Sequence, residues 1–306
     1  MRPSPFALES GPMTGGKKNR AAVLTEVSLV LAALFWGGNY AATKYATDFL
    51  PPLLFVTLRF SLAALLLLAA IRILEPGSRL KRGDVLPMAL LGCFGVGAAQ
   101  TCFTFGLSLT TAANTGLVFA TAPVWGMLLA AALGLERPGW GGVIGVTLSI
   151  AGVAVVVRGG LGAEETSLLG DGLILLAAVC VGAYTVFSMP LLERHSPLAV
   201  ATYPTLFAVP AVLLASTMVL PAVEWGEVGL GAWAALGYAG ALATAFAFAA
   251  WQRGISRIGA NRVLVYQYLI TLAGVGSGVV FLGESLGVDK VLGGAVILFG
   301  VYLARR

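Results

Sequence analysis

Trp36, Asn39, Tyr40 and Thr43 recur at i, i+3, i+4 and i+7, a spacing that puts four side chains on one face of a helix. That face offers an indole, an amide and two hydroxyls inside an otherwise apolar run, and Gly37 and Gly38 on the same turn allow a neighbour or ligand close approach. Trp36 sits near the middle of the run, where anchoring at a membrane interface explains it poorly. A cavity-facing role and a core-packing role are both compatible with this pattern. Arg59 lies well inside the next apolar run. A charge at that depth costs at least about 2.5 kcal/mol, so it must face the bundle interior, water or backbone carbonyls. It can receive a carboxylate from a bound molecule, or it can lock two helices together. Gln100, Tyr184 and the Tyr266-Gln267-Tyr268 triplet add polar groups at similar depth. Three consecutive helical residues cannot share one face, so at most two of the triplet line a common surface. Trp125 follows Pro123, whose missing N–H frees a backbone carbonyl, tolerable at membrane depth where it lines a cavity or meets a partner. The candidate ligand contacts are therefore Trp36, Asn39, Tyr40, Thr43, Arg59, Gln100, Trp125, Tyr184, Tyr266 and Gln267.

None of these groups makes a catalytic constellation. His195, the one histidine, stands beside Glu193 and Arg194 in a charged loop and reads as a solvated bystander. Glu136 and Glu284 fall at helix ends on opposite faces, about 30 Å apart across the hydrocarbon, which suits capping rather than a dyad. Cys93, Cys102 and Cys180 lie in apolar runs without metal-ligand spacing and read as small packing residues. No phosphate loop of the full GxxxxGK(S/T) type is present. No catalytic residue, metal or cofactor is expected.

The elements that must position these residues follow from composition. Of 306 residues, 58% are apolar and 11% charged, against about 25% charged in a soluble domain. Too little polar surface exists to cover a water-exposed globule, so lipid is the expected solvent and partner. The net charge of +5 does not indicate nucleic acid, because the basic residues sit in short loops and tails rather than on an aromatic-studded stripe. Ten apolar runs are predicted as transmembrane helices: 23–45, 52–73, 85–107, 112–133, 139–157, 170–191, 198–220, 229–250, 260–282 and 288–304. The division between the third and fourth rests only on the polar turn Ser108–Thr111. Residues 1–22 are Pro, Gly and Lys-rich and are expected to form a disordered cytoplasmic tail. With an even count and a cytoplasmic N-terminus, fifteen Lys and Arg fall inside and three outside (Lys44, Arg158 and Lys290), with Arg59 in the membrane. This asymmetry satisfies the positive-inside rule and places both termini in the cytoplasm.

An offset of 148 residues, without gaps, aligns the chain with itself. It sets Glu136 on Glu284, Gly145 on Gly293, Gly152 on Gly300 and Trp36 on Tyr184. Residues 23–158 and 171–306 are therefore expected to be two copies of a five-helix unit. Five is odd, so the second copy enters the membrane from the opposite side. Inverted repeats of this kind are typical of secondary transporters, with the substrate site between the halves. Thr271 stands where the first copy has Pro123, so the two helices are expected to bend differently.

The collected motifs resemble the drug/metabolite transporter superfamily in its ten-helix EamA-type branch. They are Phe35-Trp36-Gly37-Gly38-Asn39-Tyr40 with Lys44; Arg59; Ala122-Pro123-Val124 with Gly134-Leu135-Glu136; and Phe281-Leu282-Gly283-Glu284 with Gly293 and Gly300. The resemblance covers residues 23–306 and is closest in look to bacterial amino-acid and metabolite exporters, including those for aromatic amino acids. It implies an all-α membrane protein of the cytoplasmic (inner) membrane, expected as a monomer. The expected activity is export of an amino acid, aromatic or large and apolar, by alternating access. Another metabolite or drug class is the alternative, and an intramembrane enzyme acting on lipid is the remaining one.

Overall fold

The computed structural model describes residues 15–135, 139–159, 167–259, 263 and 266–304. They form α1 (Gly15–Thr47), α2 (Pro52–Leu74), α3 (Arg82–Leu109), α4 (Ala112–Ala132), α5 (Trp140–Gly159), α6 (Leu168–Leu192), α7 (Pro197–Ser216), α8 (Leu230–Ile258), α9 (Tyr266–Leu282) and α10 (Val288–Ala304). Eight of these are long and apolar enough to cross a membrane, and α9 is a shorter apolar helix. The chain is an all-α membrane protein built as two inverted five-helix repeats. Large apolar side chains such as Leu214, Leu230, Phe281 and Trp140 cover its outside, where a soluble protein would place charges.

Short-range chemistry sets the helix ends. Thr111, Ser167 and Ser196 stand at N-caps, their hydroxyls accepting from the N–H groups of Asn114, Gly170 and Ala199. Pro52 and Pro197 occupy first-turn positions where no N–H is needed. Gly134, Gly259 and Gly283 end α4, α8 and α9 at φ of 70°, 85° and 67°, which favours glycine. Helix α1 starts at Gly15, ahead of the expected 23, because Lys17 to Ala22 lacks a breaker and can prolong the helix beyond the apolar phase. Helix α8 likewise runs to Ile258 rather than 250: its last turns carry Arg253 and Arg257 on one face, so hydropathy declines while the helix continues.

The 148-residue offset reappears in the packing. A methyl built on Gly145 would lie 2.3 Å from Ala304 N and 2.5 Å from Gly300 O, and one on Gly300 would lie 2.7 Å from Gly145 O. Gly152 and Gly293 oppose each other in the same reciprocal way, at 2.8 and 2.9 Å. Residue i of α5 thus meets the equivalent of j in α10, and j meets the equivalent of i, as two-fold related halves require. Both α3 and α8 contain π-helical turns, Leu91–Ala98 and Ala241–Phe246, and the offset carries the first onto 239–246. Symmetry stops at the proline. Helix α4 breaks at Ala120–Thr121 before Pro123, whereas α9 runs unbroken through Thr271.

This crossing yields a direct test. Gly145→Val is expected to cost several kcal/mol, since the close approach leaves no volume for the side chain and overpacking alone costs about 1–3 kcal/mol. Gly237→Ala, where a methyl meets nothing within 4 Å, should instead stabilise by about 0.5–1 kcal/mol through helix propensity. Thermal midpoints of the two purified variants in detergent decide it: equal midpoints would refute the crossing.

Candidate functional site

A cavity of about 1140 Å³ opens between the two halves. Its inner wall carries Trp36, Asn39 and Tyr40 from α1, Arg59 from α2, Gln100 and Phe103 from α3, and Tyr184 from α6. Phe248, Trp251 and Gln252 of α8 and Gln267 of α9 complete it. Its mouth lies at the end of the bundle that holds Gly15 and Ala304, between Gly139, Pro190, Glu193 and Gly259.

Arg59 is 2% exposed. Its Nε donates to Thr244 Oγ1 at 2.7 Å, and Thr244 sits on the π-helical turn of α8, donating in turn to Ala239 O at 2.8 Å. The wider turn lets one hydroxyl serve both its own helix and the arginine. Arg59 Nη1 has no hydrogen-bond partner among the described residues, and the salt bridges found there all involve Asp84. The guanidinium is therefore held by one edge and lies over the Phe60 ring, 5.2 Å from its centroid, with no carboxylate partner among the described residues.

The aromatic part of the wall is a cluster in which Trp36 lies 5.0 Å from Trp251 and 6.0 Å from Phe248, with Phe248 6.3 Å from Phe60. Gln252 Nε2 donates to the Tyr184 hydroxyl at 3.0 Å, tying α8 to α6 across the cavity. Tyr40 packs on Phe103 at 5.3 Å and against the bare backbone of Gly274.

Of the ten candidate contacts, the structure brings Trp36, Asn39, Tyr40, Arg59, Gln100, Tyr184 and Gln267 to this cavity. Thr43 is fully buried one turn beyond its closed end. Trp125 Nε1 donates to Thr121 Oγ1 at 3.1 Å and faces a small crevice among α4, α5 and α6. Tyr266 is half-buried outside the lining, so Gln267 alone represents the triplet. Phe248 and Trp251 were not singled out from sequence. Their signal was available: Phe248, Trp251, Gln252 and Ile255 repeat the i, i+3, i+4, i+7 pattern of α1, and all four line the cavity.

The opposite end is sealed by polar groups from four helices and two turns. Lys44 Nζ of α1 donates to Thr110 O, and Thr110 Oγ1 donates to Asp171 Oδ1 of α6 at 2.7 Å. Asn114 Nδ2 of α4 stands 3.4 Å from both Asp171 oxygens. Glu284, in the turn after α9, accepts from Ala112 N at 2.6 Å and Ala113 N at 2.9 Å, placing a carboxylate on the positive end of α4. This agrees with a capping role for Glu284; Glu136 lies outside the described residues. Lys290 Nζ reaches Thr111 Oγ1 at 3.3 Å. The weakly marked turn Ser108–Thr111 is thus where the seal converges.

At the mouth end, one expectation is corrected. His195 is not solvated: its Nε2 lies 2.8 Å from Asp84 Oδ2, with both side chains 4% exposed, while Arg194 Nη1 meets Asp84 Oδ1 at 2.5 Å. Ser196 Oγ donates to Glu75 Oε2 beside them. The α2–α3 loop and the first turn of α3 are stitched to the α6–α7 loop there, a pairing across more than a hundred residues that local sequence cannot reveal.

Comparison with known proteins agrees with this geometry. The family model described as the EamA-like transporter family matches twice, over residues 23–158 and 168–306. An uncharacterized transporter of Archaeoglobus fulgidus is 26% identical, covering 92% of this chain and 98% of its own. A probable terminal-alkyne amino-acid exporter of Streptantibioticus cattleyicolor is 31% identical, covering 91% and 92%. A probable amino-acid metabolite efflux pump of Salmonella typhimurium is 26% identical over 90% and 92%. A solved crystal structure shares the fold at a TM-score of 0.63 with 22% identity, over 92% of this chain and 96% of that one. A two-fold membrane bundle with a cavity between its halves, matched twice by one family model, leaves one assignment: the chain belongs to the EamA-like transporter family.

Proposed function

We propose that this transporter exports amino acids with aromatic or large apolar side chains from the bacterial cytoplasm across the inner membrane. The single observation that carries the reading is a cavity open at one end and sealed at the other, with an arginine in its aromatic wall that has no carboxylate partner among the described residues. A guanidinium free on one edge suits a carboxylate, which it can grip through parallel N–H bonds. The indoles and phenyl rings beside it suit an apolar side chain. Two relatives are named for amino acids or their metabolites, which fits the same cargo. The excess of Lys and Arg in the loops on the mouth side argues that this side is cytoplasmic, so the cavity would load from within.

Release requires the Lys44–Asp171–Glu284 seal to part while the mouth closes. The halves 23–158 and 171–306 would rock about their interface, as inverted repeats allow. Cargo affinity would then drive occupancy of whichever state fits it better.

The test is counterflow in proteoliposomes loaded with a panel of amino acids. Phenylalanine, tryptophan and leucine should exchange at least tenfold faster than in empty liposomes, with aspartate and lysine near background. Equal background rates for every amino acid would overturn the reading.

A further inference from the structure

We propose that the cavity reads the two charges of a zwitterionic amino acid separately, holding the ammonium with neutral acceptors rather than with an acid. The inference rests on the amino-acid reading above and names how its cargo is recognised. Three fully buried polar atoms on the cavity's lining residues have no hydrogen-bond partner among the described residues: Arg59 Nη1, Asn39 Oδ1 and Gln252 Oε1. Each belongs to a side chain 2% exposed. Buried polar groups left unpaired are costly, so three on one cavity point to a ligand that supplies what they lack. One is a cationic donor and two are acceptors, so the missing partner carries both an anionic acceptor and a group rich in donors. A carboxylate and an ammonium on one molecule meet that description.

The surroundings favour the same split. Arg59 is the sole cation among the described lining residues, and the sole acid, Glu193, stands exposed at the mouth. An ammonium deep in the cavity therefore finds amide oxygens beside the aromatic cluster of Trp36, Trp251 and Phe248. Gln252 is held in place, because its Nε2 is already committed to Tyr184. A simple carboxylate would satisfy Arg59 and leave both acceptors unpaired. A simple amine would leave an uncompensated arginine beside a second cation.

Binding to the purified transporter in detergent, read by the fluorescence of its cavity tryptophans, tests this with two ligand sets. Phenylalanine is compared with 3-phenylpropionate, which lacks the ammonium, and with 2-phenylethylamine, which lacks the carboxylate. Leucine is run in parallel with 4-methylpentanoate and 3-methylbutylamine. At least one amino acid should bind tenfold or more tighter than both of its analogues. Gln252→Leu should weaken that amino acid about tenfold and leave its deaminated analogue unchanged, while Gln252→Glu should tighten the amine. If 3-phenylpropionate or 4-methylpentanoate binds as well as its parent, the ammonium site is refuted while amino-acid transport stands. If neither amino acid binds and none is exchanged in liposomes, the transport reading falls and this inference with it. The wild-type comparison needs no variant, so a misfolded substitution cannot shield the proposal.

Discussion

Arg59→Met is expected to lower exchange of a carboxylate-bearing cargo by about 100-fold while leaving the thermal midpoint unchanged or raised. The two halves of this expectation have separate physical origins. Charge-assisted hydrogen bonds contribute about 1.5–3 kcal/mol, and a tenfold change in affinity corresponds to about 1.4 kcal/mol. Losing the guanidinium's grip on a carboxylate thus gives a loss on the order of 100-fold. Stability moves the other way, because a cation at membrane depth costs about 2.5–3.5 kcal/mol even on the gentler scales. Its one direct bond, to Thr244 at 2.7 Å, offsets only part of that. Methionine keeps similar length and apolar bulk without the charge.

A structural lock would behave oppositely: the midpoint would drop by many degrees, and lost exchange would track lost folded protein. Arg59→Lys gives an internal check. It keeps the charge but loses the planar fork and the Nε that reaches Thr244, so intermediate exchange is expected. Differential scanning fluorimetry and proteoliposome exchange on the same preparations separate the two roles.

Glu284→Ala is expected to open the sealed end. In the structure its carboxylate satisfies the N–H groups of Ala112 and Ala113, which no residue of α4 itself can satisfy. Removing it leaves two orphan donors in the closed state, a penalty of about 3 kcal/mol if each costs 1.5. The same donors would reach water in an open state, so the equilibrium shifts toward opening by about 150-fold. Thr43, fully buried at the closed end, reports on the change. In a background with Cys93, Cys102 and Cys180 replaced by Ala, a Thr43→Cys variant should react with a membrane-impermeant maleimide from the face opposite the termini. The added Glu284→Ala change should raise that rate at least tenfold. An unchanged rate with a lowered thermal midpoint would make Glu284 a static cap and remove it from gating.

Most of the architecture was legible because the physics behind it is local. Ten apolar runs, capped by Thr111, Ser167 and Ser196 and closed by Gly134, Gly259 and Gly283, need only lipid and helix-end chemistry to define them. The glycines at 145, 152, 293 and 300 advertised the offset, and only the structure shows that they meet where α5 crosses α10. The cavity was legible in part. Trp36, Asn39 and Tyr40 share one face by periodicity, but periodicity cannot say how far along that face the cavity runs. It stops before Thr43, where the seal begins. Trp125 follows the break at Ala120–Thr121, where Thr121 accepts from its indole and it lines a separate crevice rather than the cavity.

The sequence by itself determined a lipid-embedded bundle of two similar halves and the presence of a charge that had to be answered inside it. Tertiary structure alone decided which partners answered. Arg59 meets Thr244 across 185 residues, Glu284 meets Ala112 across 172, and His195 meets Asp84 across 111. Hydropathy and helix periodicity are properties of neighbours along the chain. Whether a buried polar group is paired, sealed into a gate or left facing a cavity depends on distances between helices, and these exist only after the helices have packed.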